Sequence, residues 1–369
     1  MESGLKVADF ASVRRIRCRE IDLADIERLV DLLTKGFYPS RRDAWVQRLQ
    51  RLSQHPTPRG FPKYGYLLEW GDTLIGASLV IYSSILVNGE TRIRCNNSSW
   101  YVEPEFRSYA SMLASHGRGH KNVTYFNVTP DRHTLPILEA KGYVRYCSGR
   151  FVALPALCAQ AARAQVQLVT AQEHADHNLH RAEIELLSAQ AGYGCISVIC
   201  TLEDMTYPFV FVPRRKFGFI PYVRLIYCRD LSDFVRFAKP LGRFLARRHF
   251  FLVAVDSNGP IRGLVGGYFA GRPKYFKGPD QPRLGDLAYS ELAMFPRLGE
   301  STPWEMLVKK LSSVQYRWQN RKTRFTAASD SRNQHLVTNL KPNASEGLLR
   351  PTFTNPTPFD EPKKSRVFP

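Results

Sequence analysis

Apolar positions recur along the chain in two periods, and their order predicts alternating strands and helices. Residues 16–20 read as a short strand. Asp22 and Asp25 then stand three apart, as in a helix-capping box. Ile26, Leu29, Val30, Leu33 and Phe37 follow at spacings that share one helical face. Residues 66–70 and 73–87 predict a hairpin around Gly71 and Asp72. Residues 93–102 predict a further strand, halted by Pro104. A helix from about residue 107 then leads to a strand over 123–128. A second helix, from about residue 131, stops at Gly142, and strands at 143–146 and 151–154 close the unit.

A small-residue connector over 157–167 separates this unit from one with the same order of elements. A strand at 166–169 precedes Thr170 and Glu173, a second capping box, over a helix to about residue 189. Strands are predicted at 195–200, 209–212 and 222–227, then a long helix over 232–248, then strands at 250–255 and 264–269 around Asn258 and Gly259. The pattern predicts an α+β class with mixed α/β sheet, in two units over 14–155 and 166–300. The halves share order rather than residues. Over 315–369 the periods vanish, and six prolines fall in the last 28 positions. That segment predicts a disordered basic tail.

Composition adds bounds. The chain has 369 residues, 44% of them hydrophobic, enough for packed cores. The longest uncharged stretch, from Thr73, is broken by Gly and Ser and is too short for a spanning helix, so no membrane role is expected. Seven cysteines without a CxxC pair predict a reducing, cytoplasmic setting. The net charge is +19, of which the tail carries +6 from ten cations and four carboxylates. The rest is diffuse and permits a polyanionic ligand without selecting one.

The informative stretch is Trp100-Tyr101-Val102-Glu103-Pro104-Glu105-Phe106-Arg107-Ser108-Tyr109-Ala110-Ser111-Met112. A strand ends, proline breaks it and a helix begins. Backbone N–H groups at such a junction bind phosphate, and an arginine beside them suits a diphosphate. This stretch resembles the acetyl-CoA-binding motif of the GCN5-related N-acetyltransferase (GNAT) superfamily. Asn127-Val128-Thr129 and Leu138-Glu139-Ala140-Lys141-Gly142-Tyr143 resemble the family's next motif, in the right order and at a suitable distance. The resemblance covers about residues 16–154. The second unit resembles a diverged copy.

The resemblance implies acetyl-CoA or another acyl-CoA as co-substrate, with no metal, and transfer of the acyl group to an amine or hydroxyl. It places the thioester oxygen near Tyr101 and Val102. Arg107 with Ser108, Tyr109, Ala110, Ser111 and Met112 would hold the diphosphate, and Asn127 would orient the pantetheine arm or a water. Ala110 and Met112 stand where the family carries small residues, and Leu138 stands where many relatives carry a tyrosine acid. No carboxylate lies within 93–102. The base is left among Glu103, Glu69 and a water chain, and the acid among Tyr101, Tyr109 and Tyr125. Alternation in an expected strand over 284–291 would put Tyr289 and Glu291 on one face, where they could contact the acceptor.

Two rival readings share the superfold: a catalytically silent acyl-CoA-binding or scaffold module, and a tandem transferase using aminoacyl-tRNA. General nucleic-acid binding ranks below them, because no recognition motif accompanies the charge. Glu173, His174, Asp176, His177 and His180 resemble a metal cluster in composition only, since steps of three drift around a helix. The glycines at 263, 266 and 267 lack the following helix that a dinucleotide loop needs.

Overall fold

The computed structural model describes residues 15–87, 89–116, 119–159, 164–171, 179–217 and 219–295. The predicted tail over 315–369, the end of the predicted second unit after 295, and the positions Glu173 to His177 lie outside the described residues.

The strands are β1 (Ile16–Glu20), β2 (Gly65–Trp70), β3 (Thr73–Val87), β4 (Glu90–Val102), β5 (Val123–Asn127) and β6 (Val144–Ala153), then β7 (Gln165–Val169), β8 (Ile196–Leu202), β9 (Met205–Lys216), β10 (Ile220–Cys228), β11 (Val253–Ser257) and β12 (Gly266–Lys277). The helices are α1 (Ile26–Gly36), α2 (Arg42–Gln54), α3 (Ala110–His116), α4 (Leu135–Ala140), α5 (Arg181–Gly192), α6 (Leu231–Arg236), α7 (Ala238–Ala246) and α8 (Glu291–Met294).

All twelve strands form one mixed sheet in the order β1-β2-β3-β4-β5-β12-β6-β11-β10-β9-β8-β7. Its pairings read the same from either edge: three antiparallel, one parallel (β4 with β5, and β10 with β11), then antiparallel pairs in the middle. Strand β12 lies between β5 and β6, so the last strand among the described residues completes the first half of the sheet.

Helices cover both faces. The predicted stripe of α1 is buried through Leu29, Val30 and Leu33 against Trp45, Leu49 and Leu52 of α2 and Leu67, Leu79 and Ile81 of the sheet. On the opposite face α3 seats Leu113 on Leu68, Ile75 and Val102, and α4 seats Leu138 among Val80, Tyr82 and Val123. The Asp22–Asp25 box forms as read: the Asp22 N–H donates to the Asp25 carboxylate at 2.9 Å.

Several boundaries differ from the sequence pattern. Helix α2 falls in a stretch without an assigned element, although Ala44, Trp45, Leu49 and Leu52 are all buried on it. The helix expected over 232–248 is two helices. Pro240 cannot donate to the Arg236 carbonyl one turn back, so the chain breaks at Phe237 and restarts at Ala238. Helix α5 begins at Arg181, where the His180 ring accepts the Ala182 N–H at 3.2 Å; the box expected at Thr170 and Glu173 reaches outside the described residues. Strand β6 runs unbroken through Gly149, where a Cβ would lie 2.4 Å from the Phe269 carbonyl oxygen of β12. Glycine there serves close strand approach, so the two strands expected at 143–146 and 151–154 are one.

Candidate active site

Strands β4 and β5 pair in parallel from Ile93↔Val123 to Asn96↔Phe126 and then part. Asn96 sits at the parting point, fully buried, and its side-chain nitrogen donates to the Phe126 and Asn97 carbonyls at 3.2 Å each. That bond takes up the Phe126 carbonyl beside the last paired position. Just beyond, β4 is bulged against β3. Ser98 opposes Leu79 and Tyr101 opposes Ala77, so Ser99 and Trp100 share one partner position. Ser99 takes the left-handed φ of 47° that such a kink requires.

The gap between the parted strands is a cleft of about 320 Å³. Asn97, Ser98, Ser99 and Trp100 form one wall, and Asn127 and Thr129 the other. Leu113, Ala114 and Leu138 close it on the α3–α4 side. Phe37, Trp45 and Arg48 line it on the α1–α2 side, with Arg214, Glu291, Leu292 and Phe295 completing the wall.

Glu291 is the central group. After β12 the chain returns across the sheet. Leu287 donates to the Ile226 carbonyl at 2.7 Å, Asp286 pairs with buried Arg94 at 2.8 Å, and α8 then starts at Glu291. The Glu291 backbone N–H donates to the Asn96 side-chain oxygen at 2.7 Å. Its carboxylate accepts the Ser98 hydroxyl from β4 and the Thr129 hydroxyl from beyond β5. One carboxylate therefore bridges the two diverging strands. The Arg214 guanidinium holds the next residue by donating to the Leu292 carbonyl. A carboxylate so placed can hold an ammonium group or take a proton from one.

Of the residues singled out from sequence, the cleft brings together Asn127 and Glu291. The Asn127 side-chain oxygen accepts the Thr129 N–H at 3.2 Å, so its amide hydrogens are what it offers a ligand. Glu103 lies outside the lining and sits 2.8 Å from the Lys35 ammonium. Glu69 is buried at 3.0 and 2.7 Å from the Arg19 guanidinium. Tyr125 is 3% exposed in the core with Val80, Tyr82 and Cys95. The Tyr101 ring leans on Phe37 at 6.1 Å between centroids, and burial pushes its phenol pKa up. Val102 is buried against Leu113 and Ile75.

The junction after β4 is a 3₁₀ turn over Pro104–Tyr109, with α3 starting at Ala110, three residues later than expected. Arg107, Ser108, Tyr109, Ser111 and Met112 are exposed there, and Ala110 is half-buried. The Ala110 N–H donates to the Arg107 carbonyl, so this amide is engaged inside the turn. The Lys141 ammonium reaches the Ser111 carbonyl at 3.5 Å and brings a second cation to this side.

Residues 284–291 are not a strand. They form turns into α8, with Tyr289 at a φ of 58°, and alternation therefore fails there. The Tyr289 ring turns to His55, 5.4 Å away, and burial pushes its pKa up to about 12. Thr129 stood in the quoted motif without a role of its own, while Asn96, Ser98 and Ser99 escaped the sequence reading. Their signal was the unbroken polar run Asn96-Asn97-Ser98-Ser99 inside a strand that otherwise packs on both faces.

The second parallel pair also parts, after Arg224↔Ala254. This divergence is filled by the chain itself. Cys228 donates to the Gly285 carbonyl at 2.9 Å, and Asp286 bridges to Tyr227. Beside it Asp256 is buried with Arg224 at 2.7 Å and Lys274 at 2.8 Å. Burial alone would raise the Asp256 pKa, but these two cations hold it below the usual carboxylate range. Among the described residues no group of three or more His, Cys, Asp or Glu could hold a metal ion, and no helix is long and apolar enough to cross a membrane.

The fold is found among solved structures. A GCN5-related N-acetyltransferase from Anabaena variabilis superposes with a TM-score of 0.50 at 13% identity, over 74% of each chain. One from Kribbella flavida gives 0.46 at 12% identity, over 73% of this chain and 72% of that one. Saccharomyces cerevisiae N-myristoyltransferase with bound myristoyl-CoA gives 0.38 at 11%, over 71% and 82%. No family model and no curated protein sequence matches the chain. The chain has the GCN5-related N-acetyltransferase fold.

Proposed function

We propose that the chain is an acyl-CoA-dependent acyltransferase that moves an acyl group, acetyl in the first instance, to an amine or hydroxyl. The observation that carries this reading is the Glu291 carboxylate, held across the parted strands by Ser98 and Thr129. On this reading the acyl thioester enters between β4 and β5. The bulged backbone between Ser99 and Val102 supplies an N–H to the thioester oxygen, which gains negative charge as the acceptor attacks. The Asn127 amide hydrogens hold the arm. Arg107 and Lys141 meet the diphosphate on the exposed α3–α4 side, with Ser108, Tyr109, Ser111 and Met112 around it.

Glu291 takes the proton released by the acceptor nitrogen or oxygen as the new bond forms, and that proton balances the departing thiolate. Glu291 thus takes the base role that the sequence left among Glu103, Glu69 and water. Leu138 in the cleft wall has no proton to give, so the leaving thiolate is not protonated from that position. The two-unit division, 14–155 and 166–300, is part of the same proposal; the palindromic pairing of the sheet supports a repeat in which the halves exchange β6 and β12.

Calorimetric titration with acetyl-CoA tests the reading. The wild-type chain binds, and Arg107→Ala binds about tenfold more weakly, as expected for loss of one charge-assisted contact. Absence of heat with every acyl-CoA tried would reject it. A silent binder is the second reading, favoured by Leu138 and by the two hydroxyls that tie down Glu291. It predicts binding without thiol release across an amine panel.

A further inference from the structure

A second groove, unrelated to the cleft, lies between the start of β7 and α7, with a volume of about 470 Å³. Its floor is apolar, formed by Val166, Pro240 and Phe244. Its rim carries Arg243 and Arg247, both exposed and one helical turn apart, and Lys239 continues the row a turn earlier. Among the described residues none of these three cations makes a side-chain hydrogen bond or ion pair. Strand β7 is the last in the sheet and pairs only with β8 among the described residues. Gln165, Gln167 and Leu168 along it are exposed.

An edge strand offers a row of backbone donors and acceptors that another extended chain can satisfy. A groove between such an edge and a helix adds pockets for alternate side chains. Here the helix side is cationic and the floor apolar. We propose that this groove docks an extended acidic peptide segment of a partner protein, which adds beside β7. Its acidic side chains would face Arg243 and Arg247, and its apolar ones would lie over Val166 and Pro240. The predicted tail of this chain, at +6, has the wrong sign for the site. RNA would meet the cations but leave the backbone edge unused, and Phe244, 8% exposed, offers little face for base stacking.

Fluorescence anisotropy with the full chain tests this, using a labelled nine-residue peptide of alternating Val and Glu. Saturable binding is expected, weakened about tenfold or more in Arg243→Gln/Arg247→Gln. The same peptide N-methylated at every residue, which has no N–H to offer a sheet on either edge, should not bind, and a Val/Lys peptide should bind only to Arg243→Glu/Arg247→Glu. Circular dichroism confirms that each variant is folded. The proposal is overturned by no binding at about 1 mM peptide. Equal binding by the Gln variant, equal binding of the N-methylated peptide, or tighter binding of a 20-nucleotide RNA through the same arginines overturns it too.

Discussion

Asn96 decides where the two parallel strands part. Its nitrogen occupies the Phe126 carbonyl and its oxygen docks the Glu291 backbone, so one buried amide both opens the cleft and seats the acid that crosses it. Leucine at this position has similar volume but neither bond. Asn96→Leu is therefore expected to cost about 2–4 kcal/mol of stability, since the partner groups stay buried and unpaired, read as a lower denaturant midpoint. A second residue-scale prediction concerns His55, 1% exposed, whose ring nitrogen lies 2.7 Å from the Tyr82 carbonyl. Burial holds its pKa below 6.5. Its contribution to stability is present above that value and is lost as pH falls through the lower folded pKa, because the unfolded chain binds the proton first. The denaturant midpoint should fall with pH below about 6.5 in the wild type, and less steeply in His55→Gln. Equal slopes would remove His55 as the cause.

At the scale of elements, Gly242 of α7 is where backbone meets backbone. A Cβ there would sit 2.2 Å from the Ala156 nitrogen in the turn after β6. Neither side can yield, so Gly242→Ala should cost about 1–3 kcal/mol despite its better helix propensity, checked by chemical denaturation. Most elements were legible in the sequence because their periods match the faces they bury, as in α1 and the β2–β3 hairpin. The failures have local causes. Pro240 split a helix whose apolar spacing runs on without a break, and the two strands expected at 143–146 and 151–154 are one because Gly149 serves the close approach of β12, over a hundred residues away. Of the site, Asn127 and Glu291 could be named in advance. Their meeting could not, because it depends on turns at Tyr289 and on a long-range bond from Asn96, neither of which leaves a period.

For the whole molecule, the two halves of the sheet mirror each other in pairing but not in what fills their parted strands. The first divergence opens as a cleft. The second holds Gly285, Asp286 and Leu287. The same returning segment that closes one carries Glu291 into the other, so the second half serves the first. For the proposed acyltransferase, one acyl-CoA per chain is the expected count. Calorimetry should give a stoichiometry near one, and a value near two would place a ligand where the chain already lies.

The most direct test of the account is thiol release from acetyl-CoA in the presence of an amine panel, comparing wild type with Glu291→Gln. Acyl-CoA affinity is measured on the same preparations. Glutamine keeps the shape, with its oxygen accepting from one hydroxyl and its NH2 donating to the other, but cannot take the proton. The account predicts release by the wild type, a loss of about 100-fold or more in Glu291→Gln, and affinity changed by less than about threefold. Equal rates in the two proteins, with acyl-CoA bound in both, would contradict it.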